Sequence, residues 1–364
     1  MDGLRALAAL FVLIHHEYLT IVPRVPTEDP VLRHLGILGL GHFAVTVFIV
    51  LSGWSLALQV SAQGELQGGG RAFALRRFWR IVPTYWVALA LSSVLTLVLL
   101  SERTGSHWDS VLPFEPWSAA TAGLLLNDVV LSPGVPNHAY WSIPVEMHIY
   151  LLFPVVLFAR RRVRGALVAA SAMVVSFVAL WSLLAVSPAH SVTMAPLYYG
   201  FFVVAVVASM SRAAITDMAA STIRGGLILA VLGIVGATIL AGPEAMLRWT
   251  APLDVVVAVA TVALLLLARR SDSRLRRVLS ARSLVGVGGM GFSLYLTHAP
   301  VVQLVWLYVV RPLDLPASMA FVALVSAGTP VALLISTAFF RLVERHFLRA
   351  TPRLFRRTGT GLAL

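Results

Sequence analysis

Long apolar runs separated by short polar stretches fill the chain from its first residues to about residue 340. Runs of this kind match the roughly 20 apolar residues that an α-helix needs to cross a bilayer. The segment 118–131 is apolar but only about 14 residues long, so we expect it to be re-entrant or interfacial. The sequence therefore predicts an all-α fold, a polytopic membrane helix bundle with about ten transmembrane helices: 4–22, 42–60, 82–100, 141–159, 165–186, 194–211, 225–241, 251–268, 285–310 and 317–340.

The composition agrees with a membrane protein. Charged residues make up 12% of the 364 residues, about half of the share that is typical of soluble domains. The chain has no cysteine, so neither disulfides nor thiolate sites can form. All 28 basic residues are arginines, and the net charge is +12. The arginines lie in short clusters between apolar runs, which indicates topology signals rather than a nucleic-acid surface, so we expect no nucleic-acid partner.

The arginine distribution predicts an orientation. Ten spans with a cytoplasmic N-terminus also place the C-terminus in the cytoplasm. We expect residues 1–345 to form one membrane domain, followed by a basic cytoplasmic tail at 346–364 and no appended soluble domain. The expected location is a bacterial inner or plasma membrane, with several passes through the bilayer. In this arrangement five arginines fall outside: Arg24, Arg33, Arg103, Arg248 and Arg311.

Two ionisable residues lie in the first apolar run. At 100° per residue, His16 returns to within about 20° of Arg5 on one helix face, roughly 16 Å further along. Ionisable groups at such depths are costly and often functional. The alternative is that Arg5 snorkels to the interface while His16 makes a structural hydrogen bond. His15 points about 100° away from this face and is the weaker candidate.

An arginine cluster precedes the third predicted span. Arg76, Arg77 and Arg80 lie at its cytoplasmic mouth, and Arg77 and Arg80 are three residues apart, so both can point to one side. Paired guanidinium groups suit a phosphorylated ligand. Ordinary positive-inside anchoring is the alternative. In the second span, Ser52 and Gly53 predict a close approach between helices.

Polar residues also lie within two later spans. Ser142, Glu146 and Tyr150 share one face at i, i+4 and i+8, and a carboxylate at this depth favours a functional role. His298 lies in the middle of a span with Tyr295 one turn before it, and a structural hydrogen bond is as good an interpretation there as catalysis. The loop 101–140 carries polar and aromatic residues that fit either an acceptor-facing surface or interfacial anchors: Trp108, Trp117, Asn127, Asp128, Asn137 and His138.

Taken in order, these stretches resemble the acyltransferase-3 family of integral-membrane acyltransferases. The resemblance extends from Asp2 to about Glu344. Five motifs carry it: Arg-x10-His (Arg5, His16), F-x-x-L-S-G (Phe48–Gly53), R-x-x-R (Arg77, Arg80), W-S-x-x-x-E (Trp141, Ser142, Glu146) and S-x-Y-x-x-H-x-P (Ser293–Pro300).

The resemblance implies an activity and its participants. The family transfers an acyl group, commonly acetyl, from acyl-CoA to a hydroxyl of a sugar or other polyol. The expected acceptor is a cell-envelope glycan or a glycosylated metabolite such as a macrolide. Acyl-CoA is expected as a co-substrate, with no tightly bound cofactor and no metal. A transporter or flippase of amphipathic glycosides is the main alternative, and a non-catalytic scaffold is another.

The resemblance also implies roles for single residues. His16 would take a proton from the acceptor hydroxyl or carry the acyl group transiently. Arg5 would orient the donor or stabilise charge on the thioester oxygen. Glu146 would orient His16 or a sugar hydroxyl. The remaining assignments are phosphate binding by Arg76, Arg77 and Arg80, and substrate binding by Ser142, Tyr150, Tyr295 and His298.

Overall fold

The computed structural model describes residues 1–23, 27–60, 64–127, 135–186, 195–211, 217–269 and 274–349. Within these ranges the secondary structure is helical apart from one isolated bridge between Val60 and Leu66, so the predicted all-α fold is confirmed. The α-helices are α1 (Asp2–Ile21), α2 (Pro30–His34), α3 (His42–Ala57), α4 (Gly69–Val98), α5 (Pro116–Gly123), α6 (Ser142–Arg162), α7 (Gly165–Val186), α8 (Ala195–Met210), α9 (Asp217–Arg248), α10 (Thr250–Ala268), α11 (Arg274–Leu279), α12 (Arg282–Gly289), α13 (Gly291–Val305) and α14 (Ala317–Phe339).

Among the described residues, eight segments are long and apolar enough to cross a membrane. The predicted spans 42–60 and 194–211 correspond instead to α3 and α8, which are shorter apolar helices of 16 residues each. The polytopic membrane bundle is therefore confirmed, with eight full-length candidates where ten were expected. The orientation of the termini and the tail at 346–364, most of which lies outside the described residues, stay predictions.

The bundle has two ends that matter for the site. At one end Arg5 of α1 donates to Ser55 of α3 at 2.8 Å, and the guanidinium of Arg269 lies 4.4 Å from the ring centre of Trp54. We call this the arginine end. The opposite end carries the C-terminus of α1 and the segment between α4 and α6, and we call it the loop end.

Glycines allow the closest helix crossings. A Cβ atom at Gly53 of α3 would lie 2.6 Å from the carbonyl oxygen of Phe202 in α8. The backbones of α3 and α8 therefore come into direct contact at Gly53, as the small residues at this point predict. Helix α1 crosses α12 in the same way, since a Cβ at Gly288 would lie 2.0 Å from the carbonyl oxygen of Asp2.

Helix α13 lies at the centre of the bundle. Thirteen of its 15 residues are buried, including the polar residues Ser293, Thr297 and His298. Helices α7 and α9 lie at the periphery, where Trp181 and Leu240 expose most of their side chains. Exposed apolar side chains of this kind suit contact with lipid.

The short apolar segment after α4 forms α5, whose 8 residues span about 12 Å and cannot cross a bilayer. It packs on α4, because the hydroxyl of Tyr85 donates to the carbonyl oxygen of Ala122 and the indole of Trp86 donates to that of Gly123. This agrees with a non-crossing segment, although residues 128–131 of the predicted stretch lie outside the described residues.

Candidate active site

Histidines from four separate parts of the chain meet near the loop end. His16 comes from α1 and His298 from α13, and their ring centres are 5.0 Å apart. Nε2 of His138, in the turn before α6, lies 3.0 Å from Nδ1 of His16. His107 completes the set, with its ring centre 4.6 Å from that of His138. We call these residues, His16, His107, His138 and His298, the histidine cluster.

Helix α1 determines the depth of His16. The rise from Asp2 to His16 is about 21 Å at 1.5 Å per residue, which places the imidazole in the half of the bundle nearer the loop end. The neighbouring His15 makes a different contact, because its Nδ1 donates to the carbonyl oxygen of Leu38 at 2.6 Å. His15 therefore contributes to packing against the segment before α3, and His16 is the member of the pair that joins the cluster.

His107 is held by a segment that is fastened to α13. The hydroxyl of Ser106 donates to Gln303 at 3.0 Å, and Gln303 donates to the hydroxyl of Thr104 at 3.0 Å. The carboxylate of Asp109 accepts from the backbone N–H of Thr104 at 2.9 Å, which closes the turn. Burial lowers the pKa of His107, so its imidazole is neutral at neutral pH.

His138 is fixed through its neighbours. The side chain of Asn137 accepts from the backbone N–H of Ala139 at 2.9 Å and donates to the carbonyl oxygen of Leu296 in α13 at 3.3 Å. The hydroxyl of Tyr295 donates to the carbonyl oxygen of Ala139 at 2.6 Å. These bonds attach the turn to α13 and hold the imidazole of His138 against His16.

The tautomer of His298 follows from its backbone contacts. Its Nδ1 lies 2.8 Å from the carbonyl oxygen of Tyr295 and 3.0 Å from that of Leu294. Carbonyl oxygens only accept hydrogen bonds, so Nδ1 carries the proton and Nε2 presents a lone pair. This Nε2 is buried and has no hydrogen-bond partner among the described residues.

A second polar group lies deeper in the bundle, around Glu146 of α6. The hydroxyls of Ser52 and Tyr150 both donate to the Glu146 carboxylate, the first at 3.2 Å. The predicted face of α6 is therefore correct for Glu146 and Tyr150, which lie one turn apart and bond to each other. Glu146 contacts these two hydroxyls rather than His16, so the structure gives no contact for an orienting role toward His16.

Ser142 and Tyr295 connect the two polar groups. The hydroxyl of Tyr295 donates to a backbone carbonyl, so in the 2.7 Å bond between the two residues the hydroxyl of Ser142 is the donor. Ser142 lies one turn from Glu146 on α6, and the ring centre of Tyr295 is 5.9 Å from that of His298. Polar side chains thus continue from Glu146 to the histidine cluster.

Arg77 extends this series toward the arginine end. Its guanidinium lies 5.6 Å from the ring centre of Tyr150 and donates to the side chain of Gln59 at 2.9 Å. The side chain is buried, and Nε has no hydrogen-bond partner among the described residues. Arg77 therefore faces the interior of the bundle, where an anion could approach it.

The other arginines of the cluster have different surroundings. Arg80 is exposed and interacts electrostatically with Glu344, while Arg76 donates to the carbonyl oxygen of Gln67 at 2.7 Å. The guanidinium groups of Arg77 and Arg80 thus lie in different surroundings, the first buried and the second exposed. Arg5 pairs with Asp2 at 2.6 Å in addition to Ser55, so it lies at the arginine end, away from His16.

Three members of the histidine cluster fit the dimensions of a metal site. One ligand nitrogen from each of His16, His107 and His138 lies within 4.8 Å of the other two. The sequence interpretation expected no metal and did not include His107 or His138 among the catalytic candidates. Their placement depends on contacts between distant segments. The sequence carries only a weak indication that this region belongs to the site, because His138 and Trp108 lie in a polar loop next to a predicted span.

Comparisons with known proteins agree with the motifs. A family model described as an acyltransferase domain matches residues 1–341. Acyltransferase MdmB of Streptomyces mycarofaciens is 27% identical over 287 residues, which cover 74% of this chain and 70% of MdmB. No solved structure matches the chain. The matched region contains the histidine cluster and the polar residues that lead to it.

Proposed function

The chain belongs to the acyltransferase-3 family of membrane acyltransferases, and from this premise we propose that it transfers an acyl group, in the simplest case acetyl, from acyl-CoA to a hydroxyl of a sugar. The observation that carries the proposal is the series of polar side chains inside an otherwise apolar bundle. It begins at Arg77, continues through Tyr150 and Glu146, and ends at the histidine cluster.

The arginine end suits the donor. Coenzyme A carries phosphates, and guanidinium groups bind phosphate by paired, charge-assisted hydrogen bonds. Arg76 and Arg80 lie at this end, and the buried Arg77 follows them inward. In the predicted orientation this end faces the cytoplasm, where acyl-CoA is made. The phosphates would stay among the arginines while the acyl chain reaches inward past Tyr150.

The loop end suits the acceptor. His16 lies there with the imidazole of His138 at hydrogen-bond distance. In the proposed reaction an imidazole of this cluster takes the proton of the acceptor hydroxyl as the oxygen attacks the acyl carbon, or His16 carries the acyl group between the two substrates. Ser142, Tyr295 and His298 line the approach and would bind the substrate.

The acceptor belongs to one of two classes in this proposal, a cell-envelope glycan or a glycosylated small molecule such as a macrolide. Both carry sugar hydroxyls, and in this proposal either would approach the histidine cluster from the loop end. Purified protein with radiolabelled acetyl-CoA and a panel of both acceptor classes tests the choice, since labelled ester will form on one class and not on the other.

A substitution at His16 tests the proposed centre of the reaction. We expect His16→Ala to lower the rate of acetyl transfer by about 100-fold or more, since a positioned acid or base contributes factors of this size. His34→Ala, which changes an exposed histidine of α2, is the matched control and should keep the wild-type rate. Full activity of His16→Ala at normal expression would contradict the assignment.

Substitutions in the arginine cluster test the donor site. We expect Arg77→Ala with Arg80→Ala to raise the KM for acetyl-CoA by about tenfold or more, because each charge-assisted bond contributes some 1.5–3 kcal/mol. Arg161→Ala, an exposed arginine at the same end, provides the control. An unchanged KM would contradict the donor site and leave positive-inside anchoring as the interpretation of the arginine cluster.

Binding of acyl-CoA separates an enzyme from a transporter. A transporter or flippase of glycosides needs neither a phosphate site nor a thioester, although it would also carry polar groups within the membrane. Saturable binding or slow hydrolysis of acetyl-CoA by the purified protein supports the enzyme, and its absence together with glycoside transport in vesicles supports the alternative.

A further inference from the structure

The histidine cluster also contains a potential metal-ligand set, which shares His16 and His138 with the acyl-transfer proposal and adds His107. With an ion bound, these residues would act as ligands and the proton acceptor would be His298. We infer that His16, His107 and His138 bind one divalent transition metal ion of the zinc class. The inference rests on the proposed function for its chemistry, but its structural basis is independent of the donor and of the acceptor.

The geometry is the first support. One nitrogen from each histidine lies within 4.8 Å of the other two. Nδ1 of His16 and Nε2 of His138 are 3.0 Å apart. Zinc binds imidazole nitrogen at about 2.0–2.1 Å, so ligand nitrogens in a tetrahedral site are about 3.3 Å apart. The pair at 3.0 Å is already near this spacing, and separations of up to 4.8 Å would have to close by at most about 1.5 Å, which rotation of imidazole side chains can provide.

The second support is that the ligands are held in place before any ion binds. The bond between Ser106 and Gln303 and the turn closed by Asp109 fix the segment of His107. Asn137 does the same for the segment of His138. Sites with ligands on anchored segments avoid the ordering cost that a mobile loop would add.

The chemistry of the donors is the third support. Imidazole suits zinc, copper, iron and nickel, and three nitrogens with an open fourth position are the arrangement of catalytic rather than structural zinc. The carboxylates that follow His16 and His107 closely in sequence are engaged elsewhere, since Glu17 accepts from Thr329 at 3.0 Å and Asp109 accepts from the backbone. Three imidazoles carry no charge of their own and leave the full charge of the ion, so the fourth position would suit an oxygen ligand that can give up its proton.

A bound acceptor hydroxyl supplies such an oxygen. Coordination would acidify the hydroxyl, as it does for zinc-bound water, and its proton would pass to the lone pair on Nε2 of His298. The acceptor oxygen would then bond to the acyl carbon of the thioester as the C–S bond breaks. The departing thiolate of coenzyme A would take the proton from His298, so that atoms and protons balance.

Metal content tests the inference directly. Protein purified through a tag without histidines would be dialysed against zinc, or against cobalt for its visible absorption in a tetrahedral nitrogen site, and then analysed by mass spectrometry. We expect about one ion per chain. Loss of a ligand should weaken binding by about 100-fold or more, because even outer partners of metal ligands change affinity by 10–100-fold.

The variants for this test are His107→Ala and His138→Ala, with His15→Gln as the matched control. His15 lies next to the cluster, with its ring centre 4.7 Å from that of His16, but it is outside the ligand set. The control should keep the metal, while both alanine variants should lose it and retain the wild-type elution volume. No stoichiometric metal in the wild type, or equal binding by His107→Ala, would overturn the inference.

The two proposals fail separately. Wild-type protein that binds no stoichiometric metal and still transfers acetyl would overturn the metal site and leave the acyltransferase proposal intact. Stoichiometric metal binding that depends on His107 in a protein with no acyl transfer to either acceptor class would support the metal site and contradict the acceptor and donor proposed above.

Discussion

The chemistry open to His298 is decided by two backbone carbonyl groups. They fix the proton on Nδ1 and leave the lone pair of Nε2 buried without a partner among the described residues. A buried acceptor of this kind costs free energy of order 1–3 kcal/mol unless a ligand satisfies it. His298 therefore makes a structural hydrogen bond through Nδ1, and its unpartnered Nε2 supports the proposal that the residue also contacts substrate. That second role stays a prediction.

This interpretation predicts the behaviour of His298→Asn. The asparagine amide can keep donating to the same carbonyl groups but removes Nε2, so we expect normal stability and a loss of turnover of about 100-fold or more. The measurements are the rate at saturating substrates and the thermal unfolding midpoint. A variant that unfolds early without a change in turnover would instead assign His298 to packing.

Contacts between site residues of one helix could be predicted from their spacing, whereas contacts between distant segments could not. The bond between Glu146 and Tyr150 follows from their separation by one turn. The bond between Ser142 and Tyr295 joins positions 153 apart and has no signal in spacing. Arg5 and His16 share a face of α1, but Arg5 forms an ion pair with Asp2, three residues away, and not a contact with His16.

At the level of single helices, length and apolar content predicted where most helices lie. Glycine explains one difference between the predicted and the observed helix bounds. The predicted span 285–310 is divided, because α12 ends at Gly289 and crosses the backbone of Asp2 through Gly288. Helix α4 begins at Gly69, well before the predicted start at residue 82, since its arginines continue the helix beyond the apolar run. A close crossing between two helices depends on which helix packs against the glycine, and a single sequence does not identify that helix.

The crossing of α3 and α8 gives a prediction at this level. We expect Gly53→Ala to lower the stability by about 1–3 kcal/mol, because its Cβ would lie 2.6 Å from the Phe202 carbonyl oxygen and the helices must separate. Gly233→Ala in α9 is the control, since a Cβ there meets nothing within 4 Å. Thermal unfolding in detergent compares the two, and equal midpoints would contradict a tight crossing.

The molecule as a whole is an apolar bundle with different chemistry at its two ends. Arginines and a buried guanidinium occupy one end, and a cluster of imidazoles occupies the other. Composition was enough to predict the bundle, and the arginine distribution gives an orientation that stays a prediction. The polar series that joins the ends was not predictable as a whole, because it is assembled from side chains of α1, α3, α4, α6 and α13.

The predicted orientation can be tested without altering native cysteines, since the chain has none. We expect Glu102→Cys, at the loop end, to react with a membrane-impermeant maleimide in intact cells. Gly70→Cys, at the arginine end, should react only after the membrane is opened. Both positions are exposed. The reverse labelling would show that the arginine end faces outward and would remove cytoplasmic acyl-CoA as the donor.

The attachment of the histidine cluster to α13 has a mechanical consequence. His298 belongs to this helix, His107 is tied to it through Gln303, and His138 is tied to it through Asn137. His16 comes from α1, which packs against α13. Three imidazoles thus form one rigid part and the fourth belongs to another, so a slide of about 1 Å between the two helices would open or close the cluster without disturbing the other three.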